Sequence, residues 1–292
     1  MNVALCTDEK YSQYSLVTIV SLFENNRDHE IVVTIITDGL SKKSRSKFFK
    51  LAAYYSQTIN VVEIDVDIIR NLKTIEGYFP ISMYYRYFLP QILSEQNRVL
   101  YLDCDIMVRA DLSEFYDSDL ENVAGMVIVD QNCDSVAINN RLGLNGDYFN
   151  SGVILMNLNY WRKNDIFNKL VNFAANNSSI LVYPDQDALN VVLDGKVKYA
   201  DYRYNMQELW LDESMKNEIH LYKWKFPELE ESKKNPAIVH FCTIRKPWFK
   251  ECINPFLEEY LSYARLLPFV NFKPKYRAPF IDRLYYSIRR RF

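Results

Sequence analysis

Apolar positions along this chain follow two rhythms. Short, almost unbroken apolar runs recur at NVALCT (2–7), IVVTIIT (31–37), INVVEID (59–65), VLYLDCDIMV (99–108), VAGMVIVD (123–130), DYFNSGVILMNL (147–158) and AIVHF (237–241). They are rich in β-branched residues and read as strands buried on both faces. Between them lie stretches of helical period. In residues 11–26, Leu16, Ile19, Val20 and Phe23 share one face. Residues 41–55 open on Ser41, a residue type suited to the helix N-cap. Residues 82–93 read as a helix interrupted at Pro90, and 161–176 as one amphipathic helix. PDQDALNVVL (184–193) starts with proline and acidic residues, as helix first turns do, and 254–267 is the last helix. Strands alternating with helices predict an α/β fold with a mostly parallel central sheet flanked by helices. No Pro/Gly/Ser linker occurs before about residue 268, so 1–267 reads as one domain and 268–292 as an appended tail.

One strand breaks the apolar rule. Asp103 and Asp105 sit inside VLYLDCDIMV, where an unpaired buried carboxylate would cost several kcal/mol. Side chains two apart on a strand point the same way, so the pair shares a side while Leu102, Cys104 and Ile106 face the core. Two readings follow: a divalent cation with oxygen preference, Mn²⁺ or Mg²⁺, lies between them, or they cap backbone N–H groups at a strand end. The first strand-to-helix turn reads CTDEKY, without the G-x-G-x-x-G that lets backbone N–H groups approach a pyrophosphate. A diphosphate bound here would need another positive partner, which a metal on the aspartates would supply.

Composition narrows the picture. Hydrophobic residues at 49% and charged residues at 25% are ordinary for a globular protein. The cysteines, at 6, 104, 133, 242 and 252, are odd in number and contain no C-x-x-C, which suits buried thiols in a reducing compartment. The sequence begins a strand at once, with no basic segment ahead of a long apolar one, and no apolar run reaches the ~20 residues a bilayer requires. A cytoplasmic location is expected. Residues 273–292 hold seven Lys/Arg and one Asp, while acidic side chains outnumber basic ones elsewhere. The acidic body argues against nucleic acid as a partner. In the tail, helical spacing gathers Ile281, Leu284, Tyr285, Ile288 and Phe292 on one side, with Arg283 and Arg290 pointing away. That pattern suits an interfacial helix on the anionic inner leaflet, making the protein peripherally membrane-associated. A helix docked on the body, a subunit contact or disorder are the alternatives.

Six stretches, LCTDEKY (5–11), YYRYFLP (84–90), VLYLDCDIMV (99–108), YFNSGVILMNL (148–158), PDQDALN (184–190) and VHFCTIRKPW (239–248), closely resemble in this order the retaining glycosyltransferases of family 8. Bacterial lipopolysaccharide galactosyl- and glucosyltransferases are the nearest in kind, and glycogenin is more distant. The resemblance spans about residues 1–255. It implies a Rossmann-like GT-A fold, a UDP-hexose donor (UDP-glucose or UDP-galactose), Mn²⁺ with Mg²⁺ as the other candidate, and a glycan or lipid-linked acceptor. Asp103, Asp105 and His240 match the metal ligands, and Lys246 the group that touches the diphosphate. Asp8 and Tyr11 match the uracil contacts, Arg86 a residue near the donor sugar, and Cys104, Ser151 and Thr243 further donor-side positions. Asn150, Asp185, Gln186 and Asp187 match the donor-sugar and acceptor pocket, with Gln186, Asp187 and Lys246 as catalytic candidates. Gln186 would lie on the β face of the anomeric carbon. An amide is a poor nucleophile, which favours front-face transfer with the leaving phosphate taking the acceptor's proton.

Each residue also has a plainer reading. Asp8 is a candidate N-cap, Arg86 a helix-surface ion pair, His240 a satisfied strand-end histidine, Lys246 an exposed lysine, and PDQD ordinary helix-start chemistry. Thr243 stands where the family commonly has glycine. Lys10 replaces a small polar residue, and PISMYY (80–85) departs from the galactosyltransferases' acceptor side. A dehalogenase-like phosphatase also uses D-x-D, though near its domain start. Glycogenin-like self-glucosylation and a non-catalytic sugar-nucleotide binder complete the alternatives.

Overall fold

A computed structural model of the chain describes residues 1–74, 79–132, 136–211, 226–267, 269–270 and 272–276. Ten strands are present among them: β1 (Asn2–Cys6), β2 (Val32–Thr37), β3 (Thr58–Glu63), β4 (Arg98–Leu102), β5 (Ile106–Val108), β6 (Gly125–Val129), β7 (Phe149–Asn157), β8 (Val197–Tyr199), β9 (Met206–Gln207) and β10 (Ile238–His240). Seven form a central sheet in the order β3-β2-β1-β4-β7-β6-β8. Strand β7 pairs antiparallel with β4 and β6, and the other pairings are parallel, so the sheet is mostly parallel as expected.

The apolar runs lack strict alternation because both faces of the sheet are covered. Leu100 and Leu102 belong to one hydrophobic core with Leu16, Ile19, Val20 and Phe23 of α1 (Ser12–Asn25). Val99 and Tyr101, one residue out of phase, belong to the core on the opposite face with Tyr84, Tyr87 and Trp161. Helix α2 (Lys42–Tyr55) starts where expected: the Ser41 hydroxyl accepts the Ser44 N–H at 3.1 Å.

Three expectations need correction. The run 99–108 is two strands. After Leu102 the chain turns through 103–105 and enters a separate three-stranded sheet, β5-β10-β9. Residues 82–93 are a 3₁₀ helix, Ile81–Phe88, running into a short α-helix, Leu89–Ile92; Pro90 lies in that helix's first turn, where its missing N–H costs nothing. The helix expected over 161–176 is broken into Leu158–Lys163 and Ile166–Asn176, with Asp165 between them in the left-handed region (φ 52°). Beyond residue 267, Phe269, Val270 and Phe272 pack on the core, and Lys275 pairs with Phe249. The amphipathic stretch 281–292 lies outside the described residues. No helix among the described residues is long and apolar enough to cross a membrane.

Candidate active site

The chain order β1, β2, β3 builds outward on one side of β1, and β4 returns to its other side. The reversal opens a crevice at the carboxyl ends of β1 and β4, the usual ligand position in such sheets. Asp8 follows β1, and Asp103 and Asp105 follow β4. Because β7 runs antiparallel to β4, its first residues, Asn150 to Gly152, lie at the same rim: the Asp103 N–H donates to the Gly152 carbonyl at 2.9 Å.

The departure of the chain at 103 is what completes the cluster. Strand β5 pairs antiparallel with β10, placing His240 opposite Ile106. Ligand atoms of Asp103, Asp105 and His240 all lie within 4.8 Å of one another. His240 Nδ1 is 3.0 Å from Asn205 Oδ1, which fixes that nitrogen as the donor. Its Nε2 faces Asp105 Oδ1 at 3.2 Å and Asp103 Oδ2 at 3.9 Å. Asp103 Oδ1 already accepts from the Tyr101 hydroxyl (2.6 Å) and Arg86 Nη2 (2.9 Å), leaving Oδ2 turned toward the histidine. An oxygen–oxygen–imidazole set with its outer atoms anchored could hold a divalent cation. Gly152 makes the close packing possible, since a Cβ there would meet His240 Cε1 at 2.2 Å and Asp103 Oδ2 at 2.9 Å.

Positive charge flanks the carboxylates. Arg86 is buried, donates to the Ser151 carbonyl, pairs with Asp103 and lies 3.4 Å from Asp185 Oδ2, with its guanidinium over the Tyr101 ring. It is thus an internal ion-pair hub in place of a helix-surface bridge. Lys246 Nζ pairs with Asp105 Oδ2 and donates to the Phe241 carbonyl (2.7 Å). It is held in the site and is no free surface lysine. Burial raises the Asp105 carboxyl, but Lys246 and His240 outweigh it and hold the pKa well below the usual range. Burial pushes Asp185 up to about 6, with Arg86 opposing and Asp103 adding to the rise.

The remaining candidates divide. Gln186 is buried and doubly held: its Oε1 accepts the Ser151 N–H (2.9 Å) and its Nε2 donates to Asp130 (3.1 Å). Asn150 donates to Asp130 (3.0 Å) and accepts from Gly152 N and Asn205 Nδ2. Asp187 is fully buried and takes bonds from Arg141, the Tyr148 hydroxyl and the Val182 and Tyr183 N–H groups. Both oxygens are committed: Oδ2 accepts the N–H groups at the start of the Pro184–Val192 helix, which is the helix-start reading, and Oδ1 is held by Tyr148 and Arg141. Cys104 turns away from the cluster, its thiol between Ser15 Oγ and the Cys6 carbonyl at 3.0 Å each. Asp8 caps the turn into α1 by accepting Tyr11 N–H (2.8 Å), and the Tyr11 ring meets Tyr14 and Trp248 edge-on. The Thr243 N–H is taken by Glu208 Oε2 at 2.8 Å.

Four participants escaped the sequence reading: Tyr101, Asp130, Asn205 and Glu208. Asp130, ending an apolar strand like Asp103, carried a usable signal. Asn205 and Glu208 lie in an irregular stretch that offered none.

The crevice at the strand reversal, its acidic pair, the histidine from a second small sheet and the flanking lysine together define a glycosyltransferase of the GT-A architecture. The chain belongs to glycosyltransferase family 8, whose family model (Glycosyl transferase family 8) matches residues 2–252. It is 27% identical over 268 residues to General stress protein A of Bacillus subtilis, covering 90% of this chain and 92% of that protein. It is 29% identical over 259 residues to a lipopolysaccharide 1,2-glucosyltransferase of Escherichia coli, covering 85% and 73%. Among solved structures, the galactosyltransferase LgtC with donor and acceptor sugar analogues superposes with a TM-score of 0.82 at 25% identity, covering 92% of this chain and 97% of that one.

Proposed function

We propose that the protein is a metal-dependent retaining hexosyltransferase that moves glucose or galactose from a UDP-sugar to a surface-glycan acceptor. The observation that carries this reading is the meeting of Asp103, Asp105 and His240 beside Lys246 at the crevice. A divalent cation on those three ligands would supply Lewis-acid stabilisation of the diphosphate as the sugar–phosphate bond breaks. Asp103, Asp105 and His240 hold their ligand atoms ready because Arg86, Tyr101 and Asn205 occupy the other sides of two of them. Lys246 brings a cation to the same place and opposes the charge that accumulates on the departing diphosphate. Asp8 and Tyr11, at the end of β1, bound the base side of the crevice.

On the sugar side, Asp185, Asn150 and Ser151 present oxygens and amides, and Arg86 fixes Asp185. Gln186 acts through a pinned carboxamide. With both ends hydrogen-bonded it stabilises positive charge at the anomeric carbon rather than attacking it, and the acceptor enters from the face the phosphate leaves, which retains configuration. The leaving phosphate oxygen receives the acceptor's proton. Asp187 holds the helix that carries Gln186 and does not touch the reacting atoms. The likeness to lipopolysaccharide glucosyl- and galactosyltransferases supports a glycan acceptor at the inner face of the membrane, to which the basic stretch 277–292 would attach the protein.

Donor hydrolysis with a panel of UDP-sugars, with and without Mn²⁺, tests this. Asp103→Asn and Asp105→Asn should lower UDP release by on the order of 100-fold or more. Equal release by the parent and both variants, or metal-independent release, sinks the assignment.

A further inference from the structure

The loop from His240 to Lys246 links a candidate cation ligand to a cation, so a diphosphate held at both ends would lie against it. Its central amide, the Thr243 N–H, points at Glu208 Oε2 at 2.8 Å. Glu208 opens the Glu208–Leu211 helix directly after β9, and Gln207 of that strand pairs with His240. The carboxylate is therefore fixed by the same small sheet that fixes the histidine. The loop's other turn is closed internally, with Thr243 Oγ1 accepting the Arg245 N–H at 3.2 Å. Burial raises the Glu208 carboxyl, while the Thr243 bond and Lys246 draw it back, so the group also sits within electrostatic reach of the lysine. A carboxylate that accepts a loop N–H next to a lysine has the chemistry of a phosphate oxygen in such a place.

Building on the donor reading above, we infer that Glu208 is an internal competitor for the diphosphate, holding the Thr243 N–H that the diphosphate would otherwise take and so setting a low affinity for nucleoside diphosphate. Its place against a trianionic product adds like-charge repulsion, which favours departure of that product. A nucleoside without phosphates does not contest the amide and is indifferent to Glu208.

Calorimetric titration of full-length parent, Glu208→Gln and Glu208→Ala with UDP and with uridine, each in Mn²⁺, separates the possibilities. Glu208→Ala should bind UDP roughly 3- to 10-fold more tightly. Glu208→Gln keeps an acceptor of the same shape but no charge, and should show a smaller gain of the same sign. Uridine affinity should stay within twofold throughout. If either folded variant binds UDP no more tightly than the parent, or UDP and uridine weaken together, Glu208 is a structural prop and the inference fails. The Gln variant decides the matter should the Ala variant not fold. A parent that binds neither ligand overturns the donor reading itself, and this inference with it.

Discussion

At the scale of single residues, the site is organised by what the outer atoms of its charged groups already hold. Tyr101 is an example: its hydroxyl, buried and 2.6 Å from Asp103 Oδ1, joins Arg86 in orienting that carboxylate. Tyr101→Phe removes one of two anchors without opening a cavity. Mn²⁺ affinity should fall roughly 10-fold or more by calorimetry, with a melting temperature close to the parent's. Asp185 gives a pH-dependent case. Its folded pKa, about 6, lies above the ordinary carboxyl value of 3.8 because burial disfavours the charged form. The native state therefore binds this proton more tightly than the unfolded chain, and stability is lost as pH rises from about 4 to about 6. The facing groups are Arg86, Asp103 and the Ser151 hydroxyl. Asp185→Asn, which cannot ionise, should be more stable than the parent at pH 8 by about 2–3 kcal/mol. Thermal melts at pH 8 and pH 4.5 check this: the gap should close at the lower pH, and a gap that is constant or widens contradicts the burial argument.

At the scale of elements, the site depends on a change of sheet. Seven strands were legible because buried runs of β-branched residues have few other uses, and the Ser41 cap was legible from its hydroxyl. What stayed hidden was the break after Leu102. A run of ten residues, apolar apart from its two aspartates, looks like one strand, and only the pairing of Ile106 with His240 shows that it is two. The plainer reading of Asp187 is also realised, because helix-start carboxylates satisfy backbone groups whatever else they do, whereas Asp8 is not the N-cap of α1: that position is Tyr11, whose own N–H Asp8 accepts. Asn205 could not be foreseen, since its partner lies 35 residues away across an irregular stretch. The β7 backbone has to pass very close to β10 and the turn after β4, and Gly152 is the residue that allows it. Gly152→Ala would force His240 and Asp103 apart. We expect a stability loss of roughly 1–3 kcal/mol together with loss of Mn²⁺ binding; calorimetric metal binding equal to the parent's would show that the strand yields instead.

At the scale of the whole molecule, the loop that carries Lys246 is tied to the end of the described chain. Lys275 N donates to the Trp248 carbonyl (3.1 Å) and Lys250 N to the Lys275 carbonyl (3.0 Å), while Phe272 meets Tyr14 and Tyr260 edge-on. Trp248 itself stacks on Tyr14 of α1 at 3.7 Å. Lys246 is thus steadied from α1 on one side and from 272–276 on the other, and the same few residues lead into the basic stretch. Cutting the chain at different points separates the two roles. A protein ending at residue 276 keeps the strap and loses only the basic stretch, so its UDP-sugar hydrolysis should match the parent while binding to anionic vesicles falls. A protein ending at residue 270 loses Phe272 and the Lys275 pairing as well. Its hydrolysis should drop several-fold, with kcat falling because Lys246 opposes charge that builds up as the diphosphate departs, and its stability should fall by about 2 kcal/mol from the lost aromatic burial and two backbone bonds. Comparing the two truncations in hydrolysis, vesicle co-sedimentation and thermal melts decides the point. Equal hydrolysis by both would mean that α1 alone holds the lysine loop, and unchanged vesicle binding by both would remove the membrane role from the basic stretch.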